Sequence, residues 1–156
     1  VMGSLKANGI SFYLAVLGEQ YEIMPQVFDQ AKEAFKDEIV AWGFQADVKD
    51  YRAWLSKGTV VISCAIQENF GISVMEAVAR GCFPLLPDRL SYPELIPQAY
   101  KPQVIYPDES GLTDRLAQIL DSPGQFDSAR QNLARHAAGF SWKNQVKQWD
   151  IMLSRI

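Results

Sequence analysis

The chain has 156 residues, of which 48% are hydrophobic and 21% charged, and its formal net charge is −3. This size and composition fit one globular domain with a substantial core. The acidic balance argues against a nucleic-acid-binding surface on this chain, where a basic patch would be expected. No apolar run approaches the roughly 18 residues that a membrane span needs.

Short apolar strands alternate with helices along the chain. The predicted strands cover residues 12–17, 39–42, 59–63, 83–87 and 103–106. The predicted helices cover residues 25–35, 50–58, a segment from Ile72, then 112–120, 125–138 and 141–154. This alternation predicts an α/β fold, with a Rossmann-like parallel sheet that carries helices on both faces.

Several predicted elements have a defined inward face. The helix that Pro25 opens is expected to carry Val27, Phe28, Ala31 and Phe35 on one side. Ahead of the first strand, two interpretations stay open: residues 2–4 are a cloning remnant, or residues 5–7 are the end of a truncated helix.

In parallel α/β sheets, ligands bind outside the carboxyl ends of the strands. Four loops follow predicted strands, namely Gly18–Glu19, Gly43–Phe44, residues 64–73 and residues 88–94. We therefore expect these loops to share one rim of the sheet.

Residues 68–81 read E-N-F-G-I-S-V-M-E-A-V-A-R-G and are the most informative segment. Gly71 lets the backbone approach a ligand closely, and the amides of Ile72 and Ser73 then form a natural anion site at a helix N-terminus. The alternative is that Asn69 or Ser73 caps the helix. An acid on each side of Gly71, namely Glu68 and Glu76, would suit a hydroxyl-rich, anionic ligand.

The second acid, Glu76, lies on an apolar helix. A step of about 100° per residue places it in the stripe made by Ile72, Met75 and Ala79. The other sides of the helix are also apolar, so we expect it to be buried nearly all round. A buried carboxylate needs donors. These are either Arg80, as an i,i+4 ion pair, or the hydroxyls of a ligand.

The cysteines and the histidine limit metal and redox chemistry. Cys64 and Cys82 are too few for a disulfide framework, and both border apolar strands. We expect two buried thiols in a reducing compartment, the cytoplasm. His136 and two cysteines make no zinc set, and we expect a plain surface role for His136.

The last predicted helix carries a stripe of Trp142, Val146, Trp149 and Leu153 at helical spacing. Such a stripe usually packs on its own core. The other interpretation is that it docks on a second domain.

Residues 68–81 resemble the E-x7-E signature of family 4 type retaining glycosyltransferases, which have the two-domain GT-B fold. A longer pattern resembles the tRNA-queuosine α-mannosyltransferase group, also called glycosyltransferase-like domain-containing proteins. It comprises E-x-F-G at 68–71, E-A-V at 76–78, G-C-x-P-L-x-P at 81–87 and Y-P-E at 92–94. V-L-G-E at 16–19 and W-G at 42–43 fit the same group.

The resemblance implies roles for individual residues. Glu68 would be the catalytic residue, in contact with the donor sugar, and Glu76 would hold the donor ribose. The implied donor-binding positions are Gly18, Gly43, Phe44, Asn69, Phe70, Gly71, Ile72, Ser73 and Glu76. Gly43 and Phe44 would line the nucleobase pocket, and the amides of residues 70–73 would bind sugar hydroxyls and pyrophosphate. The donor would be GDP-mannose and the acceptor queuosine in tRNA, with no metal and no other cofactor.

The resemblance also implies what the chain is part of. Residues 1–156 would be the single C-terminal donor-binding domain of a GT-B protein. The acceptor-binding N-terminal domain would be missing, and so would the first strand and the Arg and Lys of its loop. The tRNA would be held mainly by the missing domain, on which residues 141–156 would pack. We expect no transferase activity from this piece alone.

The same sequence argues against three other classes of protein. A dehydrogenase would need G-x-G-x-x-G after its first strand, and a P-loop and a G-x-S-x-G elbow are also absent from the sequence. Two alternatives stay open. One is a related enzyme that uses a UDP- or ADP-sugar and a glycan or lipid acceptor. The other is a non-catalytic interaction module that binds through Trp142 and Trp149.

Overall fold

A computed structural model describes residues 1–18 and 24–154, and over these residues short parallel strands alternate with helices. The strands are β1 (Leu14–Leu17), β2 (Ile39–Gly43), β3 (Val60–Ile62), β4 (Phe83–Pro87) and β5 (Ile105–Tyr106). The α/β class predicted from the sequence is thereby confirmed. The last strand is shorter than predicted, because residues 101–104 form a helical turn.

One helix follows each of the first three strands, and several helices follow each of the last two. The helices are α1 (Met2–Ala7), α2 (Gln26–Ala34), α3 (Val48–Lys57), α4 (Ile72–Ala79), α5 (Tyr92–Leu95), α6 (Lys101–Val104), α7 (Glu109–Asp121), α8 (Asp127–Ala138) and α9 (Trp142–Leu153). Two 3-10 turns lie at Gln98–Tyr100 and Pro123–Phe126. Side-chain caps fix two of the starts, since Asp47 accepts from the Lys49 amide and Asp108 from the Gly111 amide.

The strands form two hydrogen-bonded groups. Within the described residues, β1 pairs in parallel with β2, and β4 pairs in parallel with both β3 and β5. All pairs are parallel, so the carboxyl ends within each group lie on one edge.

The core is centred on β4, all five residues of which are buried. Leu5 of α1, Val78 of α4, Leu116 of α7 and Leu133 of α8 pack around it. Lys6 adds a 2.8 Å ion pair to Glu38. Residues 2–7 therefore form a helix that contributes Leu5 to the core.

Of the apolar residues predicted for one side of α2, Val27 is 60% exposed, because α2 turns only Phe28, Ala31 and Phe35 toward its neighbours. One predicted burial is wrong. Cys64 is exposed, whereas Cys82 is buried as predicted. Cys64 lies beyond the end of β3, in the loop rather than in the strand.

The stripe on α9 does not pack on the core of this chain. Trp142, Trp149 and Leu153 are 77%, 54% and 60% exposed. Packing of α9 on a further domain stays a prediction. Across the described part of the chain, we find no helix that is both long and apolar enough to cross a bilayer.

Candidate functional site

Loops that follow the strands bring the predicted site residues to the carboxyl edge of the sheets. Gly18 follows β1 and donates its amide to the carbonyl of Gly43, the last residue of β2, at 3.3 Å. Phe44 comes next and is 65% exposed. The predicted rim residue Glu19 lies outside the described residues.

The loop after β3 turns Glu68 back on its own backbone. Oε1 of Glu68 accepts hydrogen bonds from the amides of Asn69 at 2.9 Å and Phe70 at 3.2 Å. The amide of Gly71, followed by those of Phe70 and Asn69, lowers the pKa of the Glu68 carboxyl below its ordinary value. Glu68 is therefore ionised at neutral pH. The Phe70 amide therefore donates to Glu68, whereas the resemblance implied that this amide binds the donor.

The N-terminus of α4 is open. Gly71 is its N-cap residue, in the left-handed conformation at φ 80°, and no side chain caps the helix among the described residues. Capping by Asn69 or Ser73 is therefore not observed. Ile72 and Ser73 are exposed, and the first amides of a helix have no partner within it. These amides and the helix dipole are suited to bind an anionic group.

A buried hydroxyl pair supports the loop from below. The ring of Tyr92 is fully buried under Gly71, and its hydroxyl lies 2.7 Å from Oγ of Ser63. Tyr106 donates to the carbonyl of Ser63 at 2.6 Å. No local sequence pattern pointed to a role for Ser63 or Tyr106, and Tyr92 stood out only as part of the Y-P-E pattern.

Two further contacts hold the same loop from its sides. Arg89, after β4, donates to the carbonyls of Ala65 at 2.9 Å and Cys64 at 3.1 Å. The ring of Phe70 meets that of Phe140 edge-on, with 5.6 Å between the ring centroids. The loop is thereby tied to the elements on both sides, so the position of Glu68 depends on groups far away in sequence.

Helix α4 is not buried all round, which corrects the prediction. Its buried residues are Val74, Met75, Ala77 and Val78, and they form one continuous face at about 100° per residue. Ile72, Glu76 and Ala79 are exposed on the opposite face. The reason is packing: α8, β3 and β4 cover one side of α4, and an all-apolar sequence does not indicate which side that is.

Glu76 projects from this open face. Its Oε2 accepts a 3.1 Å hydrogen bond from the hydroxyl of Tyr51 on α3. The predicted alternative, an ion pair with Arg80, is not among the salt bridges of the described residues. Glu76 is thus held from α3, and its carboxylate stays accessible to a ligand.

No cluster of three potential metal-binding side chains occurs in residues 1–18 and 24–154. A surface cavity of about 350 Å³ lies elsewhere, lined by residues that include Gln103, Arg115 and Phe126. It opens near the amino end of β5, so it does not belong to the rim that carries Glu68.

Comparison with known proteins gives two findings. The family model described as glycosyl transferases group 1 matches residues 1–139. The chain is also similar to a Drosophila melanogaster protein named tRNA-queuosine alpha-mannosyltransferase, with 31% identity over 126 residues. The matched region covers 81% of this chain and 32% of that protein. The chain therefore spans about a third of the length of this relative.

Proposed function

The chain belongs to the glycosyl transferases group 1 family, and from this premise we propose that it binds the nucleotide-sugar donor of a retaining glycosyltransferase. One observation supports the proposal most. The ionised carboxylate of Glu68, the uncapped N-terminus of α4 and the exposed carboxylate of Glu76 lie together after β3. The amides at the start of α4 can bind an anionic group, and the two carboxylates can accept hydrogen bonds from hydroxyls.

In this proposal each part of the donor has a counterpart. The hydroxyls of the ribose donate to Glu76. The amides of Ile72 and Ser73 meet sugar hydroxyls or the diphosphate, where the helix dipole favours negative charge. Gly43 and Phe44 line the nucleobase pocket, largely through backbone groups.

Glu68 is assigned the catalytic role. An ionised carboxylate beside the sugar orients it and stabilises positive charge on an oxocarbenium-like centre while the acceptor attacks from the front face. The departing diphosphate is neutralised by amides and side-chain cations, so the proposed reaction needs no metal. Transfer that continues unchanged in EDTA supports this part, and loss of transfer that Mg²⁺ restores contradicts it.

For the substrates, we propose GDP-mannose as the donor and queuosine in tRNA as the acceptor. The support is the likeness to the Drosophila relative together with the pattern in residues 68–94. The tRNA would be gripped mainly outside this acidic chain, and the reaction would take place in the cytoplasm.

Calorimetric titration of the chain with GDP, UDP, ADP and GDP-mannose tests the proposal, with Glu76→Ala as the control. We expect guanosine ligands to bind selectively and the variant to lose most of that binding. Preference for UDP or ADP would redirect the proposal to another nucleotide sugar. Binding of none of the four would contradict a donor site in this chain.

A further inference from the structure

We propose that Tyr51 is a positioning residue for the donor site: it holds one oxygen of Glu76 so that the other faces the ligand. The inference rests on the proposed function, in which Glu76 receives the hydroxyls of the donor. The family resemblance assigned Tyr51 no role.

The contact joins two elements that face each other across the site. Tyr51 lies near the start of α3, and its side chain is half-buried. Its hydroxyl lies 3.1 Å from Oε2 of Glu76, a residue 25 positions later in the chain. Among the described residues, the Tyr51 hydroxyl is the group that donates a hydrogen bond to the Glu76 carboxylate.

An exposed glutamate samples several rotamers, and binding must then restrict it at an entropic cost. A phenol hydroxyl that donates to a carboxylate makes a charge-assisted bond, which is stronger than a neutral one. Tyr51 thereby restricts Glu76 before the ligand arrives. Because Oε2 accepts the hydrogen bond that the phenol donates, Oε1 and the phenol oxygen remain as adjacent acceptors, a pattern that suits the two hydroxyls of a vicinal diol.

Tyr51 is itself fixed by the start of its helix. The Asp47 side chain caps α3 by accepting from the Lys49 amide at 2.7 Å, and only residues 45–47 separate Phe44 from the start of α3. The same helix start therefore links the loop assigned to the nucleobase with the carboxylate assigned to the ribose. Because one helix start connects them, the groups assigned to the base and to the ribose would keep a fixed distance from each other.

A double-mutant cycle tests the inference, with Tyr51→Phe, Glu76→Ala and the double variant titrated with GDP, UDP and ADP. We expect Tyr51→Phe to weaken binding of the preferred nucleotide about tenfold, equivalent to about 1.4 kcal/mol. In the Glu76→Ala background, the same change should have no further effect, because Tyr51 acts through Glu76. Tyr13→Phe is the matched control, since Tyr13 is 81% exposed. Thermal unfolding of each variant checks that the fold is kept.

The outcomes separate this inference from the proposed function. If Glu76→Ala weakens binding and Tyr51→Phe does not, the positioning role is wrong and the donor site stands. If the two effects add, Tyr51 acts independently of Glu76, which also overturns the inference. If Glu76→Ala binds normally, or the unchanged chain binds no nucleotide, the proposed function fails and the inference fails with it.

Discussion

Gly71 lies directly against the ring of Tyr92, and a β-carbon at position 71 would come within 2.9 Å of Cε1 of that ring. The backbone at Gly71 is also left-handed, at φ 80°. The loop that carries Glu68 and the start of α4 thus depends on a residue without a side chain.

Gly71→Ala should destabilise the protein, because it combines backbone strain with a clash against a buried ring. Gly81→Ala is the control, since Gly81 also has a positive φ but nothing within 4 Å of an added β-carbon. We expect Gly71→Ala to lose about 1–3 kcal/mol more than the control in urea unfolding, the usual cost of overpacking. Equal losses would mean that the Tyr92 contact gives way without cost.

Alkaline pH should destabilise the fold through Tyr106. Burial, followed by its hydrogen bond with Cys64, raises the pKa of Tyr106 well above the ordinary value of 10.0. The folded state therefore keeps this proton where the unfolded state has lost it. Its stabilising effect is complete below pH 10 and declines above it, at up to about 1.4 kcal/mol per pH unit.

Urea unfolding between pH 9 and pH 11 measures this effect. Tyr106→Phe should start less stable but decline less steeply with pH, since the variant has no phenol to ionise at this position. Tyr13→Phe should keep the wild-type slope. Parallel curves for wild type and Tyr106→Phe would contradict the assignment.

The two thiols should differ in reactivity. Cys64 is exposed in the loop after β3. Cys82 is buried, and burial raises the pKa of its thiol, so less of the reactive thiolate forms. Ellman's reagent should modify one thiol rapidly in the folded protein, and Cys64→Ser should abolish this rapid phase. A rapid phase that persists in the variant would place the reactive thiol at Cys82.

The tryptophans of α9 should contribute little to the stability of this chain. Trp149 is 54% exposed, so Trp149→Ser should change the free energy of unfolding by no more than about 0.5 kcal/mol. Leu116→Ala is the contrast, because Leu116 is buried and such truncations cost about 2–5 kcal/mol. A loss of similar size at Trp149 would mean that α9 packs on this domain in solution.

Local patterns were enough to predict the framework of the protein. The β-branched run 59–63, the glycine at 71 and the apolar segment after it predicted β3, the turn and α4 in their observed order. The parallel pairing of neighbouring strands followed from the alternation of strands and helices. These features depend on neighbours in sequence, which the residues alone reveal.

The features that sequence could not reveal depend on distant contacts. The sequence of α4 is apolar on several sides, so its periodicity did not indicate that Glu76 would face outward. Tyr51 and Glu76 are 25 residues apart, and Phe70 meets Phe140 across a still longer separation. Such pairs are set by the packing of whole elements, and a single sequence carries no local signal for them.

The assignment of Glu68 as the catalytic residue predicts a specific kinetic change. Its carboxylate is ionised and held by the amides of Asn69 and Phe70. Glu68→Gln keeps the shape and an acceptor oxygen but removes the charge.

In a preparation that transfers sugar, we therefore expect kcat to fall by about 100-fold or more, on the scale of a lost electrostatic contact to the transition state. The Kd of the donor should change less than threefold, since a contact made mainly in the transition state affects turnover rather than binding. Glu33→Gln, at an exposed acid of α2, is the matched control and should change neither value. Equal losses in kcat and donor affinity would make Glu68 a binding residue only.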